Sequence, residues 1–337
     1  MSQKNMTKAR KAKNDEFYTR LEDIEKEVRH YRDHFRGKIV YCNCDDPYVS
    51  DFVDYFSRNF EYLGLKKLIA SCYRNTDASK RTQGVEDFAV KLEYEGGAEN
   101  SMPTLGDFEI TPLKGDGDFR SQESIDLLKE SDIVVTNPPF SLFREYVDQL
   151  MEYKKSFLII GNMNAITYKE IFPLIKDDKI WQGVNWPKEF TQPNGSTKKF
   201  GNVCWFTNLN HSKRNEGVGR LTEEYNPTDY PTYDNYDAIE VSRVNNIPRD
   251  YDGVMAVPIT FLDKYSPAQF EILGIMQRND DPYKTKKYTK EQYKNANDLN
   301  ARGVIMVNNI PKSMYARVLI RRRRHLVHMS ELTKVDE

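Results

Sequence analysis

Ser131-Asp132-Ile133-Val134-Val135-Thr136-Asn137-Pro138-Pro139-Phe140-Ser141-Leu142-Phe143 is the stretch from which the fold is read. Asp132–Thr136 is a continuous apolar run rich in β-branched residues, the pattern of a strand covered on both faces. Two prolines then end regular structure. Leu142–Met151 follows, with Phe143, Tyr146, Val147 and Leu150 on one helical face. A buried strand, a stiff loop and a helix make half of a βαβ unit, and the pattern recurs on both sides. Upstream, Lys38–Asn43 reads as a strand. An amphipathic helix is expected over Val49–Phe60, opened by Pro47. Leu68–Tyr73 reads as a strand and Ser121–Lys129 as a helix that begins at a serine. Downstream, Ser156–Ile160, Lys179–Trp186 and Asn202–Asn208 are predicted strands, with a helix over Ile166–Lys176. Such alternation predicts an α/β fold with a mainly parallel sheet flanked by helices.

From about residue 209 Tyr, Asn, Asp, Arg and Pro dominate, through about residue 252. An apolar element returns at Val254–Leu262. A helix is predicted over Pro267–Gln277 and strands over Val304–Val307 and Ala316–Ile320. The expected organisation is a basic arm over 1–14, an α/β domain over 15–208 and a loop-rich second region over 209–337.

The chain has 337 residues, 39% hydrophobic and 30% charged, which suits a soluble globular protein with a sizeable core. It has neither a long apolar run nor a signal-like start, so a cytoplasmic protein with no membrane partner is expected. Cys42, Cys44, Cys72 and Cys204 fall in or beside strand-like runs and read as reduced thiols. The Cys42-x-Cys44 pair has no second pair or histidine cluster near it in sequence, so no metal site is expected. The net charge of −1 excludes nothing, but basic residues gather locally. Lys4, Lys8, Arg10, Lys11 and Lys13 lie in the arm, five lysines lie between Lys284 and Lys294, and Arg321–Arg324 are consecutive. Such patches suit a polyanion.

In an open α/β sheet, ligands bind at the carboxyl ends of the strands. Asn137-Pro138-Pro139-Phe140 therefore stands where a site belongs. The prolines fix φ and carry no N–H, so the backbone there offers carbonyls only. That suits an exocyclic aryl amine such as N6 of adenine, a poor nucleophile because its lone pair is delocalised into the ring. The Asn137 side-chain carbonyl and the Pro138 main-chain carbonyl can each accept one N6 hydrogen and free that lone pair. Phe140 can stack on the base. Group transfer to the amine then needs positioning and electrostatics rather than a protein nucleophile. No cysteine follows a proline, as ring-carbon methylation would require. A plain Asn-Pro turn is the bland alternative; the aromatic, the buried strand before it and the helix after it favour the functional reading.

The chain resembles amino-methyltransferases in which cofactor motifs precede Asn-Pro-Pro-aromatic and a target-recognition region. More narrowly, it is similar to the EcoRI-type adenine-specific DNA methyltransferases. The resemblance covers most of residues 13–265. It rests on DEFYT (15–19), YCNCDDP (41–47), LGLKKLIASCY (63–73), GDGDFRS (115–121), SDIVVTNPPFSLF (131–143), FLIIGN (157–162) and GVMAVPITFL (253–262). It implies a class I, Rossmann-like methyltransferase fold with a C-terminal target-recognition region. It also implies S-adenosyl-L-methionine as cofactor and double-stranded DNA as substrate, with the target adenine flipped out. A cognate restriction endonuclease fits such a system, but no stable protein partner is implied.

Carried over by position, Phe17, Tyr18 and Thr19 match the motif that packs on the methionine part of the cofactor. Asn43 to Pro47 match the loop at its amino-acid end, with Asp45 or Asp46 accepting from the ammonium. Asp118 and Phe119 match the pair that reads the cofactor's adenine. Asn137, Pro138, Pro139 and Phe140 match the catalytic motif. For DNA, Lys198, Lys199, Phe200 and Trp205 are candidates, an aromatic between Phe200 and Trp205 covering the far face of the flipped base. Arg321, Arg322, Arg323 and Arg324 are candidates for phosphate.

Four features depart from the broader or the narrower pattern. The 43–47 loop has no glycine, Ser71-Cys72-Tyr73 offers no acid for the ribose, Pro187–Lys199 is short, and residues beyond about 265 match poorly. A cytosine-N4 or RNA-adenine methyltransferase and an inactive DNA-binding module remain alternatives. A protein-glutamine methyltransferase is disfavoured by the aromatic, basic C-terminal region.

Overall fold

The computed structural model describes residues 18–73, 88–97, 103–191, 195–277 and 281–323. The readings on the 1–14 arm, Phe17 and Arg324 lie outside the described residues. The chain divides into two compact units, Met1–His211 and Ser212–Glu337.

Among the described residues the main sheet of the first unit has eight strands: β1 (Ile39–Cys42), β2 (Lys67–Ser71), β3 (Val90–Tyr94), β4 (Glu109–Pro112), β5 (Ile133–Thr136), β6 (Ser156–Asn162), β7 (Trp181–Gln182) and β8 (Val203–Thr207). Their spatial order is β4-β3-β2-β1-β5-β6-β8-β7. The inner run β2-β1-β5-β6 is parallel, with Val40 opposite both Leu68 and Ile133, and Val134 opposite Phe157. All residues of β1 and β5 are buried, as continuous apolar runs require. Both edges are antiparallel, so the sheet is mixed rather than mainly parallel. The sequence reading passed over β3 and β4. Val90-Lys91-Leu92-Glu93-Tyr94 alternates buried and half-buried residues and faces the core on one side only.

Helices α1 (Leu21–Val28), α2 (Asp51–Arg58), α3 (Gln122–Glu130), α4 (Phe143–Glu152) and α5 (Phe172–Lys176) accompany the sheet. Pro47 does not open α2. Ser50 caps it, its hydroxyl accepting from the Phe52 N–H at 3.1 Å. The helix expected over Ile166–Lys176 splits into a 3-10 turn, Met163–Thr167, and the short α5. Pro173 lies in the first turn of α5, the position that tolerates a missing N–H and marks a start. The strand expected over Lys179–Trp186 shrinks to β7. Ser121 caps α3 as its sequence implies, accepting from the Ser124 N–H at 3.2 Å. Ser121→Ala is expected to lose about 1 kcal/mol, read as a lower urea midpoint at unchanged slope, and Ser121→Asp should restore it.

Inside this unit Phe35 meets Phe56 at 5.4 Å, and Trp205 on β8 meets Phe52 edge-on at 6.0 Å. Glu27 on α1 is wholly buried. Its Oε1 accepts from the Tyr31 hydroxyl and the Val184 N–H, each at 2.8 Å. Its Oε2 accepts from the backbone and side-chain N–H of Asn185, at 2.7 and 3.0 Å. Between them Gly183 passes so close that a Cβ would lie 2.3 Å from Glu27 Oε1 and 2.6 Å from Trp205 Cβ. Only glycine fits there.

The second unit holds a four-stranded sheet in the order Ile239–Glu240, Met255–Pro258, Arg317–Arg322, Phe270–Ile275. The last of these strands corrects the helix expected over Pro267–Gln277. Its apolar residues pair with Arg317–Arg322, about fifty positions later, through a register shift between Ile272 and Gly274. Non-local pairing of this kind overrides local propensity. Glu240 and Arg317 form a buried ion pair at 2.7 Å, and Tyr233 donates to the same carboxylate. Val304–Val307 and Ile310–Ser313 form a hairpin whose turn, Asn308-Asn309, has positive φ at both residues. No described helix is long and apolar enough to cross a membrane.

Candidate active site

Strand order reverses between β1 and β5. From β1 the sheet grows through β2 toward one edge, and from β5 through β6 toward the other. The carboxyl ends of these two strands flank the crevice where open α/β sheets bind ligands. Asn43–Pro47 leaves β1 there and Asn137–Phe140 leaves β5.

One buried carboxylate joins the two loops. Asp45, 6% exposed, accepts from the Ser50 hydroxyl at 2.9 Å, from the Thr136 hydroxyl and from the Asn137 backbone N–H. The Thr136 oxygen also accepts from the Cys44 N–H at 3.2 Å. The Asp45 N–H donates to the Ser71 carbonyl at 3.2 Å, which brings in the end of β2. Burial pushes the Asp45 carboxyl up to about 7, against the pull of its three donors, with the nearby Asp46 adding to the rise. Asp46 is less buried and its Oδ1 accepts from the Tyr48 N–H at 3.0 Å.

Asn43 is 2% exposed. Its Oδ1 accepts from the Tyr146 hydroxyl on α4, while its buried Nδ2 finds no acceptor among the described residues. An orphaned buried donor at a switch point needs an acceptor to complete it. The loop before α3 reaches the same strand ends. Gly117 has φ +75, and a Cβ there would lie 2.2 Å from the Cys72 carbonyl oxygen. Arg120 forks onto Asp118, Nε to Oδ1 at 2.8 Å and Nη2 to Oδ2 at 2.6 Å, and holds that carboxyl below its usual range. Phe119 is buried edge-on against Tyr146 at 5.1 Å. Tyr146 thus touches both Asn43 and Phe119.

In the Asn137–Phe140 motif, Pro138 is buried, Pro139 is exposed, and Asn137 and Phe140 are half-buried. The Pro139 carbonyl accepts from the Leu142 N–H at 2.9 Å and closes the turn into α4. Tyr18 and Thr19 pair antiparallel with Thr191 and Phe190. Thr19 is buried and its hydroxyl has no partner among the described residues.

Of the expected nucleic-acid contacts, Trp205 is corrected. It is wholly buried on β8, both faces of which are covered, so it has no face to offer a base. Phe200 is half-buried edge-on to Phe190 at 5.5 Å and is the remaining aromatic of its segment. Lys198 lies 5.1 Å from the Phe200 ring, and Lys199 pairs with Glu189 at 3.1 Å. The arginine run is divided. Arg321 is exposed, Arg322 pairs with Asp252 at 2.9 Å, and Arg323 donates to the Phe270 carbonyl at 3.4 Å. The lysine cluster divides too. Lys286 pairs with Asp234 at 2.7 Å and Lys284 donates to the Asn300 carbonyl, whereas Lys287, Lys290 and Lys294 are exposed.

Sequence reasoning missed Ser50, Thr136, Arg120 and Tyr146. Arg120, adjacent to Phe119, and Thr136, adjacent to Asn137, had a local signal; Ser50 and Tyr146 had none. A groove of about 550 Å³ lined by residues such as Glu22, Lys26, Arg29, Tyr55 and Tyr62 holds none of the motif residues. Among the described residues no cluster of His, Cys, Asp and Glu suits a metal ion.

The sequence matches the family described as adenine-specific methyltransferase EcoRI over residues 5–323. It is 50% identical to the type II methyltransferase M.EcoRI of Escherichia coli over 296 residues, covering 81% of this chain and 90% of that one. It is 37% identical to the type II methyltransferase M.MpnI of Mycoplasma pneumoniae, covering 95% and 98%. It is 36% identical to the type II methyltransferase M.MgeORF184P of Mycoplasma genitalium, covering 94% and 98%. No solved structure matches the chain.

Proposed function

Because the chain belongs to the EcoRI family of adenine-specific methyltransferases, we propose that the crevice between the ends of β1 and β5 is where a DNA adenine receives its methyl group. The protein is a site-specific DNA methyltransferase. The parallel inner strands, the reversal between β1 and β5 and the antiparallel β8 beside β6 support a Rossmann-like class I fold. The methyl donor is S-adenosylmethionine, which when bound supplies an electrophilic methyl on a sulfonium. Residues 15–208 carry catalysis and 209–337 target recognition, a reading supported by the division at His211 and Ser212.

The residues present suit that donor. Among the described residues the buried amide N–H of Asn43 finds no acceptor and the Thr19 hydroxyl no partner. Asp46 is more open than Asp45 and is the candidate for the ammonium. Asp118 carries two bonds from Arg120 on Oδ1 and one on Oδ2, so Oδ2 keeps room for the adenine amino group. Phe119, fixed by Tyr146, presents an apolar side to that ring. Tyr18 lies on the strand paired to Thr191 and packs near the methionine part.

The flipped target base meets Asn137. The Asn137 Oδ1 and the Pro138 carbonyl accept the two N6 hydrogens and localise the lone pair on nitrogen. Phe140 covers one face of the base and Phe200 the other. The observation that carries this reading is the anchoring of Asn137 across the switch point from the Asn43 loop.

Phosphate contacts fall to the exposed Arg321, Lys287, Lys290 and Lys294. Arg321→Ala should weaken binding to all duplex sequences alike and lower the slope of log affinity against log salt by about 1. Expression in a methylation-free host followed by modification-sensitive sequencing tests the whole reading. N6-methyladenine in one fixed context is the expected result. Modified cytosine, or unmodified DNA, would overturn it.

A further inference from the structure

We propose that Asp45 is a positioning residue for methyl transfer, not a ligand of the methyl donor: it fixes the Asn137 backbone and locks the loop after β1 to the loop after β5. The proposal rests on the reading of Asn137 given above.

Pro138 and Pro139 have no N–H, so Asn137 carries the only backbone donor among the first three residues of the motif. That donor goes to Asp45. The other two donors to Asp45 are also tied to the crevice. Ser50 caps α2, the helix that follows the β1 loop. Thr136 is the last residue of β5 and also holds the Cys44 N–H. An ionised carboxylate is the one side chain of this size that accepts from three donors and donates to none. Asp45 has as many donors as Asp118, but it is the more buried of the two, with 6% of the residue exposed, so the ammonium of a ligand has little access to it.

Protonation should loosen the clamp. A neutral carboxyl must donate its own hydrogen, and one hydroxyl must turn to receive it. The Asn137 N–H cannot turn. Among the described residues the titratable groups that act on Asp45 are Asp46, Cys42, Cys44 and Tyr146, none of them cationic. Burial therefore holds the carboxyl up at about 7, and the clamp is fully engaged only above that pH. Its folded value exceeds the ordinary 3.8, so its contribution to stability falls as pH rises from about 4 to about 7. The uncharged isostere Asp45→Asn should accordingly melt no lower than wild type at about pH 8.

The test uses the full-length protein with unmethylated plasmid DNA and labelled S-adenosylmethionine. Wild-type kcat should rise with pH through about 7. Asp45→Asn should lower kcat about tenfold or more and flatten that rise, with the calorimetric Kd for S-adenosylmethionine unchanged within about threefold. Asp45→Ala should lose more kcat, again at unchanged donor Kd. A donor Kd that rises in step with the loss of kcat would make Asp45 a donor ligand and overturn the proposal. So would an Asn variant that keeps both the wild-type kcat and its acid limb. Failure of the wild type to bind the donor or to methylate adenine would instead strike the functional reading beneath it.

Discussion

Asn137→Ala is expected to slow methyl transfer by about 10²- to 10³-fold while leaving the fold and donor binding in place. The substitution removes an amide oxygen from a half-buried side chain. The backbone N–H that Asp45 holds is still present, and Pro138 and Pro139 keep the loop stiff. What disappears is one of two acceptors that draw the adenine lone pair onto nitrogen. Loss of a single preorganised hydrogen-bonding partner at a reacting centre lowers kcat by about 10²- to 10³-fold. Single-turnover transfer of labelled methyl to plasmid DNA measures the effect, with calorimetry of donor binding as the control. Asn137→Asp keeps an oxygen but adds a charge beside the site. It should recover little, because a carboxylate must be desolvated as the base enters. A rate for Asn137→Ala above about a tenth of wild type would remove this side chain from the chemistry.

Glu27→Ala should cause the largest loss of stability, about 3–5 kcal/mol. The deletion leaves four donors facing an empty space: the Tyr31 hydroxyl, the Val184 and Asn185 backbone N–H groups and the Asn185 amide. It also cuts the tie between α1 and the turn that follows β7. Glu27→Gln keeps one oxygen and should lose less. Burial raises the Glu27 carboxyl above its ordinary 4.5, although the four donors pull it down. A raised acid stabilises the fold most when protonated in both states. Its contribution fades as pH climbs from the ordinary value toward the folded one. The advantage of wild type over Glu27→Gln should thus be widest in acid and narrow with rising pH. Urea titrations at several pH values measure both effects, and a gap that widens with pH would contradict the assignment.

Local signals in the sequence carried well. The apolar run before Asn137, the serine opening α3 and the helical face of Phe143, Tyr146, Val147 and Leu150 all depend on neighbours within a few positions. Non-local partners explain the failures. Asp45 and Asp46 are indistinguishable as letters. Only the approach of Thr136 and Asn137, some ninety positions away, separates a buried, hydrogen-bonded acid from a more open one. Phe270–Ile275 reads as a helix until its partner strand is known. The lysines and arginines sort into fold-holding and exposed groups only once Asp234, Asn300 and Asp252 find them. The Trp205 error had a legible remedy. Asn-Val-Cys-Trp-Phe is an apolar run of the same kind as Asp132–Thr136, and a strand covered on both sides leaves no ring face open.

None of the four cysteines is cross-linked, and three are buried. Around Cys42 and Cys44, burial and the Asp45 charge together drive the thiols well above their ordinary range. Sulfur attacks electrophiles as the anion, and these two sulfurs are kept from becoming one. Cysteine thus stands beside the crevice as the protonated, weakly nucleophilic thiol. Cys42 and Cys44 should therefore react slowly with mild alkylating reagents in the folded protein, read as little mass gain at these two residues.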